Sequence, residues 1–313
     1  MDKYIQAFLT AEFLGNSLRF ATPLLLAAMG GVVNERSGVL NLSMDGMMLV
    51  GAFAGFAGSY FTGSAWMGIL IAIISCMILA LVHAFSTVTL SLNQVIVAVA
   101  INTFAMGVTS SLLRTFFGTD TNALRSPGFT DVPWPQFLKD LPILGDLFFK
   151  QTVFVYIALF SVGAIWWMFY KTTWGLKLRS VGEYPKAAAT MGVSVSKVRY
   201  VALLFSGFMA GIAGAALSIT GLNTFVDNMT AGRGFIAFAC IIFGKFNPLG
   251  AAGGALMFGI ATGAQLRLQA IGTSIPYQLP IMFPYIITLI LLIVIGAGAV
   301  PAAWGSPYYE DEE

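Results

Sequence analysis

The chain has 313 residues, of which 58% are hydrophobic and only 10% are charged. Soluble domains contain about 45–50% apolar and about 25% charged residues, so this composition excludes an ordinary soluble domain. The formal net charge is +2, and the cations do not form a basic stripe with interleaved aromatic residues, so nothing supports nucleic acid as a partner. We therefore expect an all-α fold, a polytopic helical bundle in a membrane.

Hydropathy predicts nine helical spans, because a bilayer core of about 30 Å needs roughly 20 apolar helical residues per crossing. In chain order they are 13–33, 43–61, 66–84, 94–113, 152–170, 200–222, 235–246, 249–267 and 281–299. The joints 34–47 and 244–254 are short and rich in Gly, Asn and Pro. Such joints predict interrupted helices whose freed backbone groups line a cavity. The alternative for both is an ordinary tight turn.

Charge sets the expected orientation of the chain. Residues 114–150 form the longest interruption and balance their cations with acids, so we expect an extracytoplasmic loop there. Six of the sixteen basic residues lie in 171–199, where Glu183 is the single acid. Cations beside membrane spans are retained in the cytoplasm, so 171–199 is expected to be cytoplasmic. We expect residues 1–313 to form one transmembrane permease domain, with the side of the amino terminus left open.

Four stretches of sequence, taken together, resemble a known family. They read GGVVNERSGVLNLSMDGMM at 30–48, LNQVI and AIN within 92–102, GLKLRSVGEYPKAA at 175–188, and IFGKFNPLG at 242–250. Over about residues 13–299 the chain resembles the permease subunits of bacterial ATP-binding cassette importers for simple sugars, nucleosides and branched-chain amino acids. It is most similar to the shorter permease of purine-nucleoside importers. Family members usually have about ten crossings, so we expect about 9–10 transmembrane helices, with a broken helix near 34–47.

The resemblance implies a passive path through the bacterial cytoplasmic (inner) membrane that other subunits power. Its implied partners are a second permease subunit in a heterodimer, a cytoplasmic ATP-binding cassette ATPase and an extracytoplasmic substrate-binding lipoprotein. The sequence contains no Walker A pattern for cradling nucleotide phosphates. We therefore expect the chain to be no enzyme and to bind no cofactor or metal, while the ATPase partner uses ATP.

The basic segment is similar to the coupling helix of that family. Gly182 and Pro185 bound a short predicted helix with Glu183 in its first turn, and a rigid element between two spans transmits motion of a motor. The predicted ATPase-coupling residues are Arg179, Gly182, Glu183, Pro185, Ala187, Ala188 and Gly192. The alternative is a solvated basic loop that serves topology alone.

A neutral, planar solute needs amide or hydroxyl partners and flat apolar faces, and polar side chains at membrane depth are often functional. The predicted substrate-path residues are Asn41, Ser43, Asp45, Asn93, Gln94, Asn102, Asn247 and Phe243. The alternatives are hydrogen bonds between helices for each Asn and Gln, a cap on the following helix for Asp45, and packing for Phe243. We also expect Glu35 to pair with Arg36, and His83 to lie at the membrane interface.

The predicted function is a transmembrane permease subunit of an importer for a neutral solute, with a purine nucleoside favoured. A ribose-like sugar is the alternative within this class. An ion-coupled secondary transporter is an alternative from another class, although the predicted spans contain few charges.

Overall fold

A computed structural model describes residues 10–118, 124–141, 144–221, 223–270, 278–295 and 300–309. Within these ranges the regular structure is helical, apart from two isolated β-bridges. The helices, in chain order, are α1 (Ala11–Glu35), α2 (Met44–Thr62), α3 (Ala65–Ala84), α4 (Gln94–Phe117), α5 (Gln136–Lys139), α6 (Val153–Lys171), α7 (Thr173–Glu183), α8 (Pro185–Thr190), α9 (Val195–Ser218), α10 (Arg233–Phe243), α11 (Pro248–Ala270) and α12 (Gln278–Ile295). A π-helical turn, Phe85–Thr89, extends α3.

Each of the nine predicted spans overlaps one of these helices, which confirms the all-α, polytopic fold. In the described part of the chain, 6 helices are long and apolar enough to cross a membrane: α1, α3 with its π-helical turn, α4, α6, α9 and α11. Helix α10 is apolar but has only 11 residues. At 1.5 Å per residue it covers about 16 Å, roughly half of a bilayer core.

Helix α9 lies at the centre of the bundle and packs against α1, α2 and α3. Small residues allow these close approaches: Gly211 contacts Gly51 of α2, and Gly30 of α1 contacts Ser206. Helix α11 packs along α1, where Gly259 faces Ala21. Close backbone contact of this kind is how membrane helices associate when lipid removes the hydrophobic driving force.

The bundle has two ends with different loops. At the first, which we call the basic end, segment 171–199 contacts the chain after α1 and the segment 300–309, through bonds such as Ala303 N to Gly182 O at 2.9 Å. At the second, the loop end, Arg19 of α1 forms an ion pair with Asp131 at 2.6 Å. The two segments that we expected on opposite sides of the membrane thus lie at opposite ends of the bundle.

The first predicted interruption is a buried, irregular segment, 36–43, that enters the bundle from the basic end. Gly38 lies against Arg199 of α9, and Asn41 donates a hydrogen bond to Ser206 of the same helix at 3.2 Å. The helix rises about 10 Å between Arg199 and Ser206, which three residues of extended chain can span. Helix α2 therefore begins deep inside the bundle.

The second predicted interruption, 244–254, is a tight turn, as the alternative interpretation had it. Helix α10 ends at Phe243 and α11 begins at Pro248, with Lys245 and Phe246 at φ values of 52° and 56° between them. A second irregular segment lies elsewhere, at residues 219–221 and 223–232, and descends from the loop end to the start of α10. It is buried only in part, since Val226, Asp227 and Asn228 are exposed. Its residues Ile219, Phe225 and Thr230 are fully buried.

Candidate functional site

The two irregular segments meet at mid-depth, where α2 and α10 both begin. Asp45, in the first turn of α2, accepts hydrogen bonds from the amide of Gly234 at 2.9 Å and the hydroxyl of Thr230 at 3.3 Å. A carboxylate at this place accepts a hydrogen bond from a free amide of α10, and its negative charge interacts favourably with the positive end of the helix dipole. Asp45 therefore caps a helix, but it caps α10 rather than the helix that follows it.

Two predicted path residues bond the backbone of segment 36–43 and of the first turn of α2. Asn102 of α4 accepts a hydrogen bond from the amide of Gly46 at 2.8 Å and donates one to the carbonyl of Leu42 at 3.0 Å. Gln94 accepts one from the amide of Leu40 at 2.6 Å. A buried backbone outside a helix must find such partners, because an unpaired peptide group in lipid costs several kcal/mol.

A buried polar network occupies the centre of the same segment. Asn41 accepts hydrogen bonds from the hydroxyl of Ser43 at 2.6 Å and its amide at 3.1 Å, and Ser43 also contacts His83 Nδ1 at 3.0 Å. His83 is fully buried, so the expectation that it lies at the interface was wrong. No local pattern indicates this, since its partner Ser43 lies in segment 36–43, about 40 residues earlier in the chain.

Glu35 and Arg36 do not pair with each other, in contrast to our expectation. Glu35 accepts hydrogen bonds from the amide of Asn41 at 2.8 Å and from the indole of Trp304. Arg36 bonds the carbonyl of Phe246 at 2.9 Å and approaches Glu183 at 3.6 Å. The two side chains therefore join the end of α1 to segment 36–43, to the turn before α11, to α7 and to segment 300–309.

The structure brings five of the eight predicted path residues together around 36–47, and three lie elsewhere. Asn93 is exposed and caps α4 through bonds to the amides of Val95 and Ile96. Asn247 bonds Leu249 in the turn before α11, and Phe243 packs in the main core. Substrate contact by any of the eight stays a prediction.

A cavity of about 720 Å³ lies on the loop-end side of mid-depth. Its walls come from α1, the start of α6, α9, α10 and α11, and from the irregular segment at 219–221 and 223–232. None of the predicted path residues is among its described lining residues. The neutral polar residues Asn16, Thr224 and Gln265 line it instead. Sequence reasoning missed Asn16 and Gln265 because each lies near the end of a predicted span.

Two arginines also line this cavity, and both are held by protein groups. Arg19 bonds Asp131 and the side-chain oxygen of Gln151 at 3.0 Å. Arg233 bonds the carbonyls of Met229 at 2.7 Å and Thr230 at 3.2 Å. The guanidinium groups of both arginines are therefore bonded within the protein and form part of the cavity wall.

The predicted coupling residues divide into an inward and an outward set. Gly182 packs against the backbone of Arg36, and Ala188 is buried. Glu183 ends α7 rather than beginning a helix, and it contacts Arg36 and the amide of Ala302 at 3.2 Å. Arg179 lies over the ring of Tyr170, 5.2 Å from its centroid.

The outward set forms an exposed surface around α8. Ala187 and Gly192 are exposed there, and Pro185 is half-buried at the first position of α8. The flanking residues Tyr184 and Met191 are 71% and 83% exposed. We call these five residues the α8 surface. Apolar side chains that are exposed at a polar end of the bundle are available for a contact with another protein.

The described residues contain no group of three or more His, Cys, Asp or Glu placed to hold a metal ion. The network around 36–47 can orient backbone groups and accept or donate hydrogen bonds. The α8 surface can bind a partner.

The sequence profile of the family described as branched-chain amino acid transport system / permease component matches residues 13–298. No solved structure matches the chain.

Three curated proteins are similar to the chain over most of its length. The guanosine ABC transporter permease protein NupQ of Bacillus subtilis is 36% identical over 93% of this chain and 94% of its own. The putative glucose ABC transporter permease protein TsgC13 of Haloferax volcanii is 40% identical over 87% and 82%. The nucleoside ABC transporter permease protein NupC of Lactococcus lactis is 33% identical over 96% and 97%.

The family profile spans nearly the whole chain, and the helical bundle has the apolar spans that a permease needs. This chain therefore belongs to the branched-chain amino acid transport system / permease component family, and it is a multi-pass membrane permease rather than an enzyme.

Proposed function

We propose that this chain forms part of the translocation path of an ATP-binding cassette importer, and that its solute is a purine nucleoside. The observation that carries this proposal is the meeting of segments 36–43 and 219–232 at mid-depth. Broken helices of this kind place helix N-termini and free backbone groups where a solute crosses the membrane. Irregular backbone is tolerated at that depth only where protein or a cavity surrounds it.

A neutral solute fits the site better than an amino acid does. The buried acids Glu35 and Asp45 are both occupied by hydrogen bonds within the chain. An amino acid would bring an ammonium and a carboxylate, and burying either without a partner is costly. Two of the similar permeases are named for guanosine or nucleosides, which favours a nucleoside. A third is named for glucose, so a sugar is the second candidate.

We propose an orientation and partners for the two ends of the bundle. We place the basic end in the cytoplasm of a bacterial cell, in the inner membrane, where the α8 surface docks the ATPase. The loop end then faces the substrate-binding lipoprotein. A second, different permease subunit completes the path, as the resemblance implies. Closure of the ATPase would move α7 and α8, which contact the start of segment 36–43 through Gly182 and Arg36.

Reconstitution of the whole importer tests this proposal. The chain would be co-expressed with its partner permease, ATPase and lipoprotein, and the assembled importer would be placed in liposomes. We expect guanosine and adenosine to stimulate ATP hydrolysis and to be taken up. Ribose, glucose and leucine should neither stimulate hydrolysis nor be taken up. If only glucose or ribose stimulated ATP hydrolysis, the solute would be a sugar and not a nucleoside. Uptake by this chain alone that an ionophore abolishes would instead identify a secondary transporter.

A further inference from the structure

The cavity of about 720 Å³ on the loop-end side has chemistry that the proposed path does not yet use. We propose that it is a nucleoside-binding site within this chain, occupied after the lipoprotein releases the solute and before the solute passes mid-depth. This inference rests on the proposed function. The volume lies within the range of about 300–1,000 Å³ that small-molecule sites have.

The cavity offers neutral hydrogen-bonding groups that the protein does not occupy. Asn16 of α1, Gln265 of α11 and Thr224 of the irregular segment line it, and none of the three side chains bonds another residue that the structure describes. An amide both donates and accepts, so Asn16 and Gln265 can match the mixed edge of a nucleobase. Helices α1 and α11 touch where Gly263 meets Ser17, so the two amides come from neighbouring helices.

Aromatic rings provide the flat apolar face that a base requires. Phe20 lies one helical turn after Asn16 and therefore on the same face of α1. Its side chain is 38% exposed although it lines the cavity, which leaves ring surface for stacking. Phe154 and Phe258 are buried in the cavity wall. Aromatic side chains stack on bases in the same way in nucleic-acid complexes.

The charges around the cavity also favour a neutral solute. Arg19 and Arg233 line it, but Asp131 and the carbonyls of Met229 and Thr230 hold their guanidinium groups. The described lining residues include no carboxylate that would match an ammonium. A nucleoside carries neither a phosphate nor an ammonium, so it requires no charged partner.

The position of the cavity connects the loop end to mid-depth. A smaller hollow of about 270 Å³ adjoins it, and Asn16, Phe20 and Leu266 line both spaces. The hollow reaches Ala270, the last residue of α11, at the loop end. At the other limit lies Arg233, the first residue of α10. A solute in the cavity is therefore next to the broken helices.

Equilibrium binding of tritiated guanosine tests the site. The whole complex in nanodiscs, without lipoprotein, should bind guanosine saturably. Asn16→Ala and Gln265→Ala should each raise Kd about fivefold, the effect of one lost neutral hydrogen bond. Phe20→Leu should raise the Kd for guanosine about fivefold, because the base loses its stacking partner. The concentration of ribose needed to compete with guanosine should not change, because ribose has no base to stack. The controls are Gln136→Ala and Phe160→Leu, which change exposed residues outside the cavity.

Cysteine labelling gives a second readout that does not depend on affinity. The native Cys76 and Cys240 are fully buried, so a maleimide should react selectively at Gln265→Cys. Guanosine should slow this labelling and glucose should not. Protection by glucose alone would overturn the nucleoside assignment.

The site and the proposed function fail in different ways. If the wild-type importer transports guanosine while the Asn16, Gln265 and Phe20 variants keep their Kd and uptake KM, the site is wrong and the function stands. Transport without any saturable binding or protection would also overturn the site. If the wild-type importer does not transport nucleosides, the function itself is wrong.

Discussion

Asp45 joins two helices that the chain order keeps far apart. Its carboxylate lies in the first turn of α2 and bonds Gly234 near the start of α10. Because both helices begin at mid-depth, their free amides have no water to bond and need protein acceptors. Asn102 does the same for α2 from a third helix. Individual polar side chains therefore allow helices to start inside the membrane.

Replacement of Asp45 should destabilise the fold by a measurable amount. Asp45→Ala removes two hydrogen bonds and leaves the amide of Gly234 unpaired, so we expect a loss of about 2 kcal/mol. Asp45→Asn keeps an acceptor and should cost less. The measurement is thermal unfolding of the purified protein in detergent. Asp140→Ala, which changes an exposed loop residue, is the control. An equal shift for Asp140 and Asp45 variants would contradict the capping role.

At the scale of elements, α7 and α8 form one unit with the chain after α1. Gly182 of α7 packs on the carbonyl of Arg36, while Glu183 reaches Arg36 and Ala302. The segment 300–309 adds bonds from Ala303 to Gly182 and from Gly305 to Gly38. A movement of α7 is therefore transmitted to segment 36–43 through backbone contacts. Such contacts are more rigid than contacts made by long, flexible side chains.

Gly182→Ala tests whether this contact carries the coupling. The added methyl group would overlap the carbonyl of Arg36 and displace α7, an overpacking that costs about 1–3 kcal/mol. We expect basal ATP hydrolysis by the reconstituted importer to remain, while its stimulation by guanosine and lipoprotein falls about tenfold. Gly253→Ala is the control, because a methyl group there meets open space. Full stimulation in Gly182→Ala would show that motion passes elsewhere.

At the scale of the whole molecule, the two ends of the bundle have different tasks in our proposal. The loop end holds the cavity and its arginines, and the basic end holds the α8 surface. Among the residues that the structure describes, Tyr184 and Met191 are two of the most exposed large apolar side chains. In a protein interface, a few residues of this type supply most of the binding energy.

Met191→Glu should weaken docking of the ATPase without unfolding the permease. A lost contact of about 2 kcal/mol corresponds to roughly thirtyfold weaker association. Recovery of the ATPase with the affinity-purified permease measures the effect. Phe137→Glu is the matched control, because Phe137 is 70% exposed at the loop end. Equal loss of the ATPase in both variants would argue against docking at the α8 surface.

The sequence predicted the helices well and their long-range partners poorly. Continuous apolar runs of about 20 residues need only local information, so all nine predicted spans overlap helices. The first interruption was also predicted, because Gly38, Asn41 and the polar residues near them interrupt an apolar stretch. The second was predicted at 244–254 and lies at 219–232. Both segments are polar joints, and the long-range hydrogen bonds from Thr230 and Gly234 to Asp45 tie the latter to the start of α2.

The amino-acid sequence by itself determined that this protein is a helical membrane bundle with a basic surface at one end, because hydropathy and charge are local properties of the chain. The tertiary structure decided which polar residues support the broken helices and which remain free in a cavity. Asn102 and Asn16 are both amides within apolar helices, yet Asn102 bonds Gly46 and Asn16 lines an open space. That difference depends on which helix packs opposite each residue, and packing is a property of the whole fold.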